Sequence, residues 1–276
     1  MTTVRNRLAV WGDPIAHSRS PQLHAAAYAL LGLDWEYGRR RVDAGGFSAA
    51  VEALDGSWRG LSLTMPLKEA ARAHADSVDE DAALTGAVNT LLLGERNRGF
   101  NTDVAGLAAA LADAGLGASR RARILGAGAT ARSTLVSLLR LGVENVEVMA
   151  RRPEQIAELI VFGERIGLAC TAAAIGEAAR PVDLTVSTLP GSAVLPDDVT
   201  RLLARNGGAL FSAAYAPWPT ALAAAWTDAP VVTGLEMLLH QAVLQIRIFL
   251  HGDAERALPD ERAVLAVMRD ALAMED

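Results

Sequence analysis

The chain has 276 residues, 51% of them hydrophobic, with a formal net charge of -6 and an isoelectric point near 5.4. That length allows about two domains with ample cores. The acidic balance argues against nucleic acid or an anionic membrane as the main partner, so an anionic ligand must be met by local cationic groups.

A single cysteine, Cys170, leaves no intrachain disulfide and no cysteine-based metal site, which fits a reducing cytoplasm. The histidines His17, His24, His74, His240 and His251 show no HExxH-type spacing, so no metal is expected. Met1–Arg5 lacks the apolar run of a secretion signal. The apolar stretch 231–250 is broken by Glu236, His240, Gln241, Gln245 and Arg247, and reads as a buried or half-buried helix rather than a membrane span.

In chain order, residues 7–11 form an apolar strand ended by Gly12-Asp13-Pro14. A loop leads to Ser20 as N-cap and Pro21 at the first position of a helix that Gly32 stops. Residues 34–42 read as a second strand, 46–54 as a short helix and 60–64 as a third strand. Met65-Pro66-Leu67-Lys68 turns into another helix, with Pro66 in its first turn. Residues 87–93 read as a strand, 99–103 as a loop and 104–114 as a helix stopped by Gly115.

The β-α pattern then restarts. Strands are expected at 122–125, 145–149, 182–188, 209–213 and 230–232. Helices are expected at 129–141, 153–166, 196–205, 219–226, 234–250 and 259–274. The order implies two α/β domains, an N-terminal one with a mainly parallel sheet and a Rossmann nucleotide-binding one. At least the last helix is expected to pack back on the first domain.

At the restart, Gly126-Ala127-Gly128-Ala129-Thr130-Ala131 joins a strand to a helix in a GxGxxA pattern. Gly126 permits the tight turn, Gly128 lets the backbone approach a pyrophosphate, and Ala131 allows close helix–strand packing. The free N–H groups of the first helical turn, from Ala129, then face the anion. The next strand ends in Ala150-Arg151-Arg152, with no Asp or Glu for a ribose 2′-hydroxyl. Two arginines suit a 2′-phosphate instead, which points to NADP.

Six further clusters go beyond what a generic nucleotide-binding fold needs. They are Gly12-Asp13-Pro14-Ile15-Ala16-His17-Ser18-Arg19-Ser20-Pro21, Leu63-Thr64-Met65-Pro66-Leu67-Lys68, Gly86-Ala87-Val88-Asn89-Thr90, Asn101-Thr102-Asp103, Tyr215 and Gln241. Together with the glycine turn, and in this order, they resemble the shikimate dehydrogenase family. The resemblance implies reversible hydride transfer between NADPH and 3-dehydroshikimate. It also implies a substrate domain, 1–103, completed by C-terminal helices 237–276, with a nucleotide domain, 104–236, inserted and the active site in the cleft between them.

By the same resemblance, Ser18 and Ser20 bind the substrate carboxylate, and Lys68 with Asp103 acts at the reacting oxygen. Lys68 can donate a proton or stabilise an alkoxide, while Asp103 can bond the same hydroxyl and orient the lysine. Which of the two moves the proton stays open. Thr64, Asn89, Thr102 and Gln241 offer amides and hydroxyls to the ring. A glutamine on an apolar helix, as at Gln241, is costly to bury without a partner. Tyr215 follows a strand near the ligand-binding edge and can bond the substrate or line the cleft.

The sequence departs from the family's pattern where Ala150-Arg151-Arg152 stands for an Asn-Arg-Thr-like triplet, and at Phe100 and Ser212, where the family often has Asp. A dehydrogenase preferring quinate or another hydroxylated ring acid would share almost all these residues. A non-catalytic nucleotide sensor on the fold predicts loss of Lys68 or Asp103, and both are present. A cytoplasmic monomer or homodimer is expected.

Overall fold

The run Leu8-Ala9-Val10-Trp11 is buried throughout, as expected of a strand covered on both faces. It forms the middle of β1 (Arg7–Gly12) in a computed structural model that describes residues 6–177 and 180–273. Met1–Arg5, read above for a signal, and Met274, the expected end of the last helix, lie outside the described residues.

The chain divides into two compact units: one ends at Thr102 and resumes at Leu238, and the other runs Asp103–Met237. In the first unit β1 is followed by α1 (Ser20–Leu31), β2 (Glu36–Arg41), α2 (Phe47–Glu52), β3 (Trp58–Leu63), α3 (Lys68–His74), β4 (Ser77–Val78), α4 (Glu80–Thr85), β5 (Thr90–Leu92) and β6 (Arg98–Phe100). The sheet order is β2-β1-β3-β5-β6-β4. β1 is parallel to both neighbours and β4 to β6, whereas β5 runs against β3 and β6.

Trp11, Phe47, Leu61, Leu63 and Leu67 form the core against α2 and α3. A Cβ at Gly12 would collide with Thr64, so the end of β1 passes the β3–α3 turn only because that residue is glycine. The edge strand β2 exposes Arg39, Arg40 and Arg41, charges that blunt an open sheet edge.

The second unit holds α5 (Asp103–Asp113), β7 (Arg121–Leu125), α6 (Ala129–Arg140), β8 (Asn145–Ala150), α7 (Pro153–Arg165), β9 (Ala169–Ala174), β10 (Leu184–Ser187), α8 (Asp197–Asn206), β11 (Ala209–Ser212), α9 (Ala221–Ala224) and β12 (Val231–Thr233). Its sheet is parallel in the order β12-β11-β10-β7-β8-β9. Numbered within the unit, that is the 3-2-1-4-5-6 order of a dinucleotide-binding sheet, with its switch point between β7 and β10.

α10 (Gly234–His251) and α11 (Glu261–Ala273) end the described chain. α11 packs on α1, where Arg19 donates to the Leu272 carbonyl at 3.0 Å. α10 and α11 are tied by Arg247 Nε donating to Glu261 Oε2 at 2.7 Å. Phe249 of α10 fills the space beside Gly60 on β3. Among the described residues no helix is long and apolar enough to cross a membrane.

Several local expectations are corrected. Ser20 is the first helical residue and Arg19 the N-cap, with no side-chain cap bond. Pro66 lies ahead of α3, whose N-cap is Leu67. The strand expected from 87 begins only at Thr90, and Gly99 and Phe100, read as loop, pair in β6. β4, α4 and β9 had no counterpart in the sequence reading.

Candidate active site

In the first unit the loop after β1 brings Ser18 and Ser20 together, both buried. Ser18 Oγ lies 3.3 Å from Ser20 Oγ and accepts from the Ser20 N–H at 3.4 Å. Two hydroxyls at the start of α1 form a small group of donors suited to an anion.

The second group centres on Asn89, which is 1% exposed. Its backbone bridges two strands: Leu63 N–H donates to Asn89 O at 2.7 Å, and Asn89 N–H donates to Phe100 O at 3.0 Å. Its amide Nδ2 donates to Thr102 Oγ1 at 2.9 Å and to Gln241 Oε1 at 3.0 Å. Its Oδ1 accepts from Thr102 N–H and from Thr90 Oγ1, each at 2.9 Å. Gln241, on α10, is therefore partnered inside the unit through its Oε1, and the other end of its amide carries N–H donors.

Thr64 and Lys68 flank the turn after β3. Leu67 N–H donates to Thr64 O at 2.8 Å, and Val88 N–H donates to Lys68 O at 2.9 Å. The second bond seats the start of α3 against the segment leading to Asn89. Lys68 is half-buried.

In the second unit Asp103 is buried as the first residue of α5, directly after Thr102 in the chain. α5 packs on α6, and Ser137 Oγ donates to the Val104 carbonyl at 2.8 Å. The glycine turn lies between β7 and α6. Gly126 adopts φ +110°, and a Cβ there would collide with Thr188 Oγ1. Thr188 follows β10, which sets the turn at the switch point. A Cβ at Gly128 would meet nothing within 4 Å, so the backbone there is open to a ligand.

Gly128 is the N-cap of α6 with no side-chain cap, leaving the turn from Ala129 free for an anion. Ala131, in the first turn of α6, is fully buried. Gly126 N–H donates to Met149 O of the neighbouring β8 at 2.8 Å. Arg151 and Arg152 leave the end of β8 exposed, on the same edge as Ala127 and the rest of the turn. Tyr215 is half-buried in the loop after β11.

Residues 10–91 match the shikimate dehydrogenase substrate binding domain. The chain is 36% identical to the shikimate dehydrogenase (NADP(+)) of Methylobacterium radiotolerans over 277 residues, 95% of this chain and 97% of that one. The chain belongs to the shikimate dehydrogenase family. Among solved structures, the shikimate dehydrogenase of Mycobacterium tuberculosis superposes with a TM-score of 0.84 at 38% identity, covering 98% of this chain and 100% of that one. The shikimate 5-dehydrogenase of Thermus thermophilus, described in complex with NADP(H) and shikimate, has a TM-score of 0.78 at 34% identity, with 96% and 99% covered.

The shikimate dehydrogenase family motifs also enclose buried polar residues to which the sequence assigned no role. Asn101 is buried; its Nδ2 donates to Thr85 Oγ1 at 2.8 Å and its N–H to Asp79, the N-cap of α4, at 3.2 Å. It holds the loop that carries Thr102. Ser62 and Gln245 are buried as well, with Ser62 Oγ donating to Gln245 Oε1 at 2.7 Å. For Gln245 a usable signal was present: it repeats, one turn later, the glutamine on an apolar helix that singled out Gln241. Among the described residues no group of His, Cys, Asp and Glu is arranged to hold a metal. Cys170 is half-buried, and burial with the nearby Glu164 pushes its thiol up to about 11, so it stays protonated and inert at neutral pH.

Proposed function

We propose that this protein is an NADP-dependent shikimate dehydrogenase, catalysing the reversible reduction of 3-dehydroshikimate to shikimate. The full-length likeness to relatives named shikimate dehydrogenase (NADP(+)) carries the reading. It is supported by a first unit whose buried polar residues, His24 apart, carry hydroxyls and amides, the chemistry a small polyhydroxylated acid requires.

The residues around the glycine turn fit the cofactor. Gly126, Ala127, Gly128, Ala129 and Ala131 form an uncapped helix start with open space above Gly128, and Arg151 with Arg152 would meet a 2′-phosphate. When bound, NADPH supplies the hydride.

The chain's own groups do the rest. Ser18 and Ser20 hold the substrate carboxylate through neutral donors. Asn89, Thr102, Thr64 and Gln241 take the ring hydroxyls, and Gln241 has its amide N–H groups to offer. Lys68 stabilises negative charge on the reacting oxygen or delivers its proton, and Asp103 bonds the same hydroxyl and orients the ammonium. Tyr215 contributes a hydroxyl or an aromatic wall.

The test is a spectrophotometric assay of shikimate and quinate, each with NADP+ and with NAD+. Shikimate with NADP+ should give the highest kcat/KM. Higher kcat/KM with quinate, or with NAD+, would replace this reading with that of a related ring-acid dehydrogenase.

A further inference from the structure

Gln245 is 2% exposed on α10, in the middle of an apolar stretch. A primary amide buried there costs stability unless both of its ends are bonded. Both are. Its Oε1 accepts from Ser62 Oγ at 2.7 Å, and its Nε2 donates to the Asn89 carbonyl at a long 3.5 Å. Ser62 is paired across the sheet with Thr90, the residue after Asn89, so the two contacts grip one short segment.

Gln241 stands one helical turn earlier, on the same face of α10. It accepts from the Asn89 side chain. A single face of α10 therefore holds Asn89 twice, Gln241 at the amide and Gln245 at the backbone. The buried ring of His24 also interacts with the Gln245 amide. That contact is not a hydrogen bond of standard geometry, since His24 Nε2 has no such partner.

We infer that Gln245 is a positioning residue for the substrate: through Ser62 and the Asn89 carbonyl it sets the depth at which the Asn89 and Gln241 amides meet the ring hydroxyls. The inference rests on the reading that Asn89 and Gln241 bind shikimate. Gln245 itself touches neither substrate nor cofactor in this role. Its removal should loosen the Asn89 segment without disturbing the glycine turn in the other unit.

The experiment uses the full-length enzyme with Gln245→Met, which keeps the volume but neither bond, and Ser62→Ala, which removes only the anchor of the amide. Steady-state KM values are measured separately for shikimate and NADP+, with thermal unfolding as a control for folding. Gln245→Met should raise the shikimate KM about fivefold, the factor carried by one net hydrogen bond, and leave the NADP+ KM unchanged. Ser62→Ala should shift the shikimate KM in the same direction, by about twofold.

An unchanged shikimate KM in folded Gln245→Met, or equal rises in both KM values, would overturn the inference. If Gln245→Met fails to fold, Ser62→Ala decides by the same split. A wild-type enzyme inactive on shikimate would instead defeat the reading beneath it, and the inference with it.

Discussion

Acid should destabilise this protein through His24 in a way that one substitution removes. The imidazole is fully buried, stacked on Tyr37 with ring centroids 3.8 Å apart, and its Nδ1 lies 2.9 Å from the Tyr28 hydroxyl. Burial lowers its pKa from the usual 6.5 to about 3, and the Gln245 amide opposes this only in part. The folded state therefore keeps the ring neutral where the unfolded chain has already protonated it. The unfolded state binds the extra proton, so stability is full above pH 6.5 and falls as pH drops toward 3.

At 1.36 kcal/mol per pH unit, lowering the pH from 6.5 to 4.5 removes about 3 kcal/mol, and the whole interval about 5 kcal/mol. The assay is urea unfolding of wild type and His24→Phe at several pH values between 4.5 and 7.5. The variant should be less stable at pH 7.5 by about 1–3 kcal/mol, because the Tyr28 hydroxyl loses its partner. Its profile should nevertheless be flatter, by about 3 kcal/mol across the acid arm. Carboxylates that titrate there act equally in both proteins and cancel in the difference. Parallel profiles would refute the claim that His24 is held neutral.

Lys68→Ala should lower kcat by about 10²–10⁴-fold while thermal unfolding moves little, since the side chain is half-buried at a helix start; near-normal turnover would remove it from catalysis. Replacing Arg151 and Arg152 together by Ala should raise the KM for NADPH at least about tenfold, the loss of one charge-assisted bond, and leave the KM for NADH nearly unchanged; steady-state kinetics with both cofactors checks this. Arg123→Met should destabilise the second unit by about 1–3 kcal/mol in urea, because it leaves the partly buried Glu147, now bonded to Arg123 Nε at 2.7 Å, without that charge-assisted partner.

The strands and helices with strong apolar patterns were legible from residues alone, and the reason is physical. β1 is buried on both faces and reads as a continuous apolar run, Leu8-Ala9-Val10-Trp11, whereas β7 and β10 are buried but carry Arg123, Thr185 and Ser187 among their apolar residues. Gly32, Gly142 and Gly167 mark helix ends because each adopts positive φ. β9 was missed because Ala169-Cys170-Thr171-Ala172-Ala173-Ala174 is an alanine-rich edge that carries little strand preference. β4 and α4 are too short for periodicity, although Asp79 and Gly86 cap α4 at its two ends and could have marked it.

The candidate site was legible only in part. Ser18, Asn89, Thr102 and Gln241 stand out as polar residues in recurring motifs, but which hydroxyl meets which amide depends on pairings far apart in sequence. The Ser62–Gln245 bond spans 183 positions, beyond the reach of local pattern. Ser20 misled because Ser before Pro looks like a cap, whereas its hydroxyl belongs to the pair with Ser18.

Synthesis of this chain proceeds in an order that its fold makes consequential. The glycine-turn unit is a single uninterrupted segment and has all its strands once Met237 has been made. The sheet of β1–β6 is translated first, with α2 and α3 beside it, yet part of its covering arrives last: Phe249 fills the space beside Gly60, and Gln241 and Gln245 reach Asn89 from the same late helix. A chain made only as far as Met237 would thus hold every residue of the second unit, while in the first unit the space beside Gly60 would be unfilled and Asn89 would lack its contacts from α10. In every round of translation, then, the first sheet waits for a helix made about 140 residues after its last strand, from Phe100 to Gln241, before its polar centre at Asn89 is held.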